Sequence, residues 1–331
     1  MDMKGRKILI TGAAGFIGSH LADRLAGEND LVLVDDFSIG SMDNLAQLEN
    51  RSGVQIVKAD VTDRERMMDL CQGVEALFHL AISCLRTSLN QPVLSHDINA
   101  GGTLSVCMAA FDRGVRRFIY VSSSEIYGTA LAAPMSEDHP CHPTTVYGAS
   151  KLAGELYALA YHRTYGMPVS VVRPFNTYGP REPYAGSRAE VIPRFILQLA
   201  AGEQPVIYGD GLQTRDFTFV EETVEGIVRA AECDALVGDV VNVAYGQEVS
   251  ILQIAEILAE LMGHSDRGVK RAEPRPGDVR RHFADIGRAR ALFGFAPQIG
   301  IRTGIGRTLE WFESSGIASR AEPRASGLPN W

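Results

Sequence analysis

The sequence is short of three things whose absence narrows its chemistry. Cysteine is scarce: Cys71, Cys84, Cys107, Cys141 and Cys233 are odd in number and none lies two residues from another. That argues against a disulfide framework or a zinc site built from CxxC pairs, and a reduced, cytoplasmic setting is expected. Positive charge is outnumbered, with 32 Lys plus Arg against 40 Asp plus Glu and a formal net charge of −8. No long-range field therefore favours nucleic acid or an anionic membrane, and basic residues that meet phosphate must act locally. Long apolar runs are missing as well. The charged residues 1–7 precede only a short apolar strand, and no run approaches the roughly 18 apolar residues of a span, so neither secretion nor a membrane helix is expected.

What is present is alternation. The segments "KILITG", "DLVLVDD", "VQIVKAD", "EALFHLA", "RRFIYVSSS" and "PVSVVRP" read as buried strands. Helical patterns lie between several of them, including "FIGSHLADRLAG" with Phe16, Ile17, Leu21 and Leu25 near helical spacing, and the stretches 91–113 and 148–165. Unbroken apolar strands separated by helices imply an α/β fold with a parallel sheet covered on both faces, the Rossmann-type doubly wound architecture. Beyond about residue 175 the pattern loosens into "NTYGPREPYAGSRAEVIPRF", rich in Gly, Pro and charge, as a loop layer near a ligand would be. "GDVVNVAYG" reads as one more strand returning to the first sheet, and "ILQIAEILAELMG" as a helix with an apolar stripe. The expected division is a sheet domain over 1–175 with a returning segment near 215–245, and a smaller, discontinuous C-terminal lobe over 176–214 and 246–331. The tail from about 315 reads as frayed.

The first chemical motif is "TGAAGFIGSH", with Gly12, Gly15 and Gly18 between a strand and a helix. Gly12 permits a tight turn, Gly15 lets a pyrophosphate approach the backbone, and Gly18 lets the helix pack closely on the sheet. Asp35 closes the second strand, where an acidic side chain holds adenosine ribose hydroxyls and repels a 2′-phosphate, so NAD is expected rather than NADP. Asp36 beside it reads as a solvated loop charge. In "ADVTD", Asp60 and Val61 could seat adenine, or Asp60 could cap a helix.

The second motif is Tyr147 with Lys151 in "VYGASK". A phenol with a pKa near 10 is a poor base at neutral pH unless a cation stabilises phenolate, and positions i and i+4 of a helix share a face. The spacing is common by chance; a dinucleotide turn and the strand-end "SSS" give it weight.

These segments, with "HLA", "VSSSEIYG", "RPFNTYGPR", "GDGLQTRDFTFVEETV" and "RPGDV" in order along nearly the whole chain, resemble the extended short-chain dehydrogenases of the NAD-dependent nucleotide-sugar epimerase/dehydratase family. The resemblance implies that Tyr147 takes the proton of a sugar 4-hydroxyl while C4 gives up hydride to NAD, with Lys151 lowering the tyrosine pKa and Ser123 or Ser124 bonding the same oxygen. It places Phe16, Ile17, Leu80 and Ala81 against the cofactor, and Asn99 as a stabiliser of the loop near the nicotinamide. Ser88, Asn176, Arg215, Arg275 and Asp278 fall to a UDP or dTDP hexose, the arginines as fork-shaped phosphate donors. His79 is expected to pack near the cofactor without acid-base chemistry. Glu125 separates the reactions. Simple inversion at C4 needs no second base, whereas dehydratases and decarboxylating relatives carry glutamate here, able to take the C5 proton once C4 is a ketone. Glu125 thus favours 4,6-dehydration, with 4-epimerisation the alternative and a decarboxylase-like enzyme or a catalytically silent NAD-binding protein behind it. Many dTDP-glucose dehydratases carry Asp where this chain has Ser124, and a structural carboxylate is the competing role for Glu125. A homodimer through the two long helices is expected.

Overall fold

The computed structural model describes residues 1–274 and 279–318. Each of the six apolar runs forms a strand, because branched and aromatic side chains pack well on a pleated surface; five are largely buried, whereas the edge strand Val54–Lys58, expected to be buried, buries only Val57. With the returning strand Val240–Val243 they make one seven-stranded sheet, in the order Val240–Val243, Val169–Pro174, Arg117–Val121, Ala76–His79, Lys7–Thr11, Asp30–Asp35, Val54–Lys58. Every neighbouring pair is parallel. The order reverses between Lys7–Thr11 and Ala76–His79, which opens a crevice at the carboxyl ends of the strands.

Two apolar cores cover the faces. Helices Phe16–Leu25 and Val220–Glu232 pack one side around Ile8, Ile10, Leu21, Phe78 and Ile227. Helices Arg64–Leu70, Thr103–Asp112 and Val146–Tyr165 pack the other around Leu9, Leu77, Phe118 and Tyr120. The helical stretch expected over 91–113 runs from Pro92 to Asp112, with a π turn Asp97–Gly102 between the α-helical segments Pro92–His96 and Thr103–Asp112.

A third core gathers Phe195, Ile207, Phe217, Phe219, Leu258 and Phe312 from helices Val191–Ala200, Ile251–Leu261 and Ile301–Ser314 and from short strands between them. Helix Ile251–Leu261 starts at a capping box in which Ser250 and Gln253 satisfy each other's backbone N–H groups. The chain passes from the sheet into this layer after Pro174, returns through Val220–Glu232 and Val240–Val243, and leaves again.

Candidate active site

A cavity of about 410 Å³ fills the crevice. At one end the glycine turn has Gly12 at φ 68°, and a Cβ there would lie 2.7 Å from the backbone N of Ala81. A Cβ on Gly18 would run into the carbonyl of Gly12, so the two glycines hold the turn and the helix start against each other. Helix Phe16–Leu25 begins without a side-chain cap, and its first turn, Phe16, Ile17 and Gly18, lines the cavity together with Gly15. Uncapped N–H groups at a helix start suit an anionic diphosphate.

Asp35 ends its strand on the cavity wall, 7% exposed, with Oδ2 accepting from Ala14 N at 2.9 Å and Oδ1 from Phe37 N at 2.8 Å. Burial pushes its carboxyl above the usual range, and the two N–H bonds oppose that shift. Asp36, read from sequence as a solvated charge, also lines the cavity, its Oδ1 accepting from Ser38 N and Oγ. Asp60, Val61, Leu80 and Ala81 line it too. Asp60 caps no helix: its Oδ1 closes a turn by accepting from Thr62 N and Oγ1, and the cap of Arg64–Leu70 is Asp63.

At the other end strand Arg117–Val121 runs out into the serines. Ser123 caps the short turn Ser124–Ile126 by accepting from Glu125 N at 3.2 Å. Thr145 caps helix Val146–Tyr165 by accepting from Gly148 N at 3.0 Å, and that start aims Tyr147 into the cavity beside Ser123, Ser124 and Glu125. Burial holds the Tyr147 phenol well above its usual range; its hydrogen bond with Ser123 favours phenolate, and the charge of Glu125 opposes it.

Lys151 is placed differently from expectation. It is 1% exposed and absent from the cavity lining; its Nζ donates to Val121 O at 2.7 Å and sits 4.3 Å over the Tyr120 ring. Burial lowers its pKa to about 7, with Glu155 opposing. The expected lowering of the tyrosine pKa by Lys151 is therefore not among the main influences on Tyr147 here, because the ammonium is turned toward the strand carbonyl.

Asn99 lies behind the wall, in the π turn. Its Oδ1 accepts from Ser83 N at 2.7 Å, and its Nδ2 donates to Ser83 O, Ser95 Oγ and Ser150 Oγ. Ser150 Oγ in turn donates to Tyr147 O at 2.9 Å, so Asn99 ties the loop after Ala76–His79 to the first turn of the tyrosine helix. His79 lies between Thr11 Oγ1 and Thr103 Oγ1, and burial pushes its pKa down to about 3, which leaves a neutral ring.

The substrate residues are only partly assembled. Asn176 lines the cavity with a buried Oδ1 that has no partner within the protein, and the missed Ser122 does the same with its Oγ. Such unpaired oxygens are costly unless a ligand group meets them. Ser88 is not on the wall; its hydroxyl donates to Leu85 O at 2.6 Å within its own helix. Arg215 is also off the wall, and its Nη1 donates to Thr214 O and Val279 O. Nor does it pair with Asp216, which accepts from Tyr245, Gly246 and Ala284 N–H groups. Arg275 and Asp278 lie outside the described residues. Sequence reasoning missed Glu182 and Glu190, which line the cavity from the Gly- and Pro-rich loop. Their only signal was charge in a loop already marked as close to a ligand.

A doubly wound sheet with a glycine turn and an acidic second-strand end, carrying Tyr147 and Lys151 one helical turn apart, defines an extended short-chain dehydrogenase/reductase. The chain belongs to the NAD dependent epimerase/dehydratase family, whose model matches residues 8–244. It is 38% identical to the UDP-glucose 4-epimerase of Mycolicibacterium smegmatis, over 93% of this chain and 99% of that one. It is 33% identical to UDP-glucuronic acid decarboxylase 6 of Arabidopsis thaliana, over 90% and 86%. Among solved structures, the dTDP-glucose 4,6-dehydratase DesIV of Streptomyces venezuelae, solved with NAD bound, superposes with a TM-score of 0.87 at 29% identity, over 94% and 98%. The protein is an NAD-dependent enzyme of the nucleotide-sugar epimerase/dehydratase class.

Proposed function

We propose that the protein oxidises C4 of a UDP or dTDP hexose transiently and carries it on to 4,6-dehydration. NAD supplies the hydride acceptor and donor for that cycle. The first turn of Phe16–Leu25 and Gly15 hold the diphosphate of the cofactor, Asp35 its ribose hydroxyls, and Asp60, Val61, Leu80 and Ala81 its adenine and nicotinamide sides. Tyr147 removes the 4-hydroxyl proton, with Ser123 bonded to its phenol and Ser124 beside it. Lys151 swings from Val121 O to hold the nicotinamide ribose and stabilise phenolate. Asn176 meets the substrate diphosphate, as does Arg215 once its guanidinium leaves the carbonyls it now bonds.

The observation that carries the dehydratase reading is the placing of Glu125 on the same wall as Tyr147, close enough for its charge to oppose ionisation of the phenol. A C4 ketone acidifies C5, so Glu125 accepts the C5 proton, the C5–C6 double bond forms, and hydroxide leaves C6 as water with that proton; with NAD bound, the hydride taken from C4 would return to C6 while a solvent-derived proton adds to C5. Ser124 is no general acid at neutral pH, so Glu125 both takes and gives that proton. Epimerisation at C4 is the second reading, supported by the likeness to the Mycolicibacterium smegmatis enzyme.

Glu125→Gln keeps the side chain's shape and cannot accept the C5 proton. A dehydratase carrying it should still reduce its bound NAD with sugar, stall at the 4-keto stage and lose turnover by about 100-fold or more. The unaltered enzyme in deuterium oxide should place deuterium at C5, read by mass spectrometry. Full activity in the variant with no exchange at C5 would overturn dehydration and leave epimerisation. For assembly, a pair of copies through helices Thr103–Asp112 and Val146–Tyr165 is the proposal, supported by exposed Phe111, Leu156 and Tyr165.

A further inference from the structure

The turn that carries Ser124 and Glu125 is held from two elements. One is the tyrosine helix Val146–Tyr165: a Cβ on Gly148 would stand 2.6 Å from Glu125 O, so the glycine lets the helix start come close to the turn. The other belongs to the C-terminal lobe. His282, 3% exposed, ends the short strand Arg281–His282, and its Nε2 lies 3.4 Å from Ser124 O, which also accepts from Tyr127 N at 3.1 Å. Burial and then the charge of Arg215 push the ring pKa down to about 4, so the imidazole is neutral and meets the carbonyl as an Nε2–H donor. The ring is itself fixed. Its centroid lies 5.1 Å from that of Phe175, and its strand pairs with Thr214–Arg215, Asp216 N donating to His282 O at 3.0 Å. Just beyond it, Met135 N donates to Phe283 O at 2.9 Å, and buried Asp216 accepts from Ala284 N at 3.2 Å.

We infer that His282 is a positioning residue for the C4 chemistry: from the C-terminal lobe it fixes the Ser124–Ile126 turn against the tyrosine helix, and so sets where Ser124 and Glu125 stand relative to Tyr147. His282 does not line the cavity, whereas Ser123, Ser124, Glu125 and Tyr147 do, so it acts through the turn and not on the substrate. The turn's own bonds close on themselves: Glu125 N donates to Ser123 Oγ, Ile126 N to Ser123 O and Tyr127 N to Ser124 O. They fix its shape and leave its seat beside Tyr147 to contacts from other elements. A displacement of about 1 Å in a reacting group can cost on the order of 100-fold in rate, so a seat of this kind matters to turnover more than to binding. The inference rests on the proposed C4 oxidation with Tyr147 as base. It holds for dehydration and epimerisation alike, because Ser123, which bonds the Tyr147 phenol, begins the same turn.

The test uses the full-length, NAD-loaded protein, with UDP-glucose, UDP-glucuronate and dTDP-glucose as substrates and UDP and dTDP as binding probes. His282→Leu removes the donor, whereas His282→Gln keeps one, its amide nitrogen reaching where Nε2 stands. On the best of the three sugars, kcat of the leucine variant should fall by about tenfold or more, while the calorimetric Kd for the matching nucleotide stays within about twofold. The glutamine variant should recover most of the lost kcat. Unchanged kcat in folded His282→Leu would overturn the inference and leave C4 oxidation standing. A loss shared equally by the leucine and glutamine variants, or one confined to nucleotide affinity, would assign His282 to the support of the Arg215 strand alone and overturn the inference as well. Should His282→Leu fail to fold, the unaltered protein carrying isotopically labelled histidine decides: nitrogen chemical shifts should show a neutral His282 with its proton on Nε2, and a proton on Nδ1 would overturn the bond to Ser124 O and the inference with it. Reduction of bound NAD by none of the three sugars, with none of them binding, would overturn C4 oxidation itself and this inference together.

Discussion

Lys151 is a buried amine held near neutrality, and its titration has a sign that can be checked. Its pKa falls from 10.5 to about 7 on folding because burial disfavours the ammonium. Between those values the unfolded chain binds the proton and the folded chain releases it, so this group adds stability as pH rises from about 7 toward 10. In cofactor-free protein, the advantage of the native chain over Lys151→Met in urea midpoint should grow across pH 7 to 9; a flat difference would mean that the amine stays charged. Asp35 offers a second test. Asp35→Ala removes a ribose acceptor and a negative charge, so the preference for NAD over NADP should shrink by about tenfold. The ratio of the two dissociation constants is the readout, since general loosening of the turn by loss of the bonds to Ala14 and Phe37 would weaken both cofactors alike.

Helix Val146–Tyr165 carries Tyr147, Lys151 and Glu155 at four-residue intervals, so one face runs from the cavity to the sheet interior. Glu155 meets Arg173 of the neighbouring strand through two bonds, and Arg173 Nη1 also donates to Tyr127 Oη at 2.8 Å and Glu137 O at 3.1 Å. Both partners are buried. Removing one leaves an uncompensated interior charge, so Glu155→Ala should cost roughly 3–5 kcal/mol, whereas Glu155→Leu with Arg173→Met should recover most of that loss. Urea denaturation measures both; a single-variant cost below about 1 kcal/mol would show the pair to be well solvated. The same scale shows where the sequence pattern stopped being legible. Unbroken apolar runs located all six strands and the helical pattern located the tyrosine helix, because burial on both faces of a parallel sheet leaves its strands apolar throughout. They did not reveal the π turn, within which Asn99 faces inward to Ser83 and Ser150. A single turn widened to i→i+5 bonding leaves no periodicity of its own.

For the molecule as a whole, the sequence's candidates beside a rigid strand end or helix start mostly line the cavity, while of the described candidates after Pro174 Asn176 does and Arg215 does not. Gly12, Asp35, Ser123 and Tyr147 each sit at a junction whose local pattern marks it. Arg215 and Ser88 were singled out by type and context, yet their donors are bonded to nearby carbonyls, a competition that a linear pattern cannot show. Glu182 and Glu190 reach the cavity only because the loop folds over it.

The returning strand has a consequence for synthesis. Val169–Pro174 is paired on one side by Arg117–Val121 and on the other by Val240–Val243, which the ribosome makes only after the whole segment between them. Until then a nascent chain presents "VSVVRP", apolar and without a partner on one edge, to any other extended segment nearby. Slow translation between these strands should therefore raise misassembly and chaperone demand, while a pause placed once Val240–Val243 has emerged from the ribosome should not, because by then the open edge can be closed.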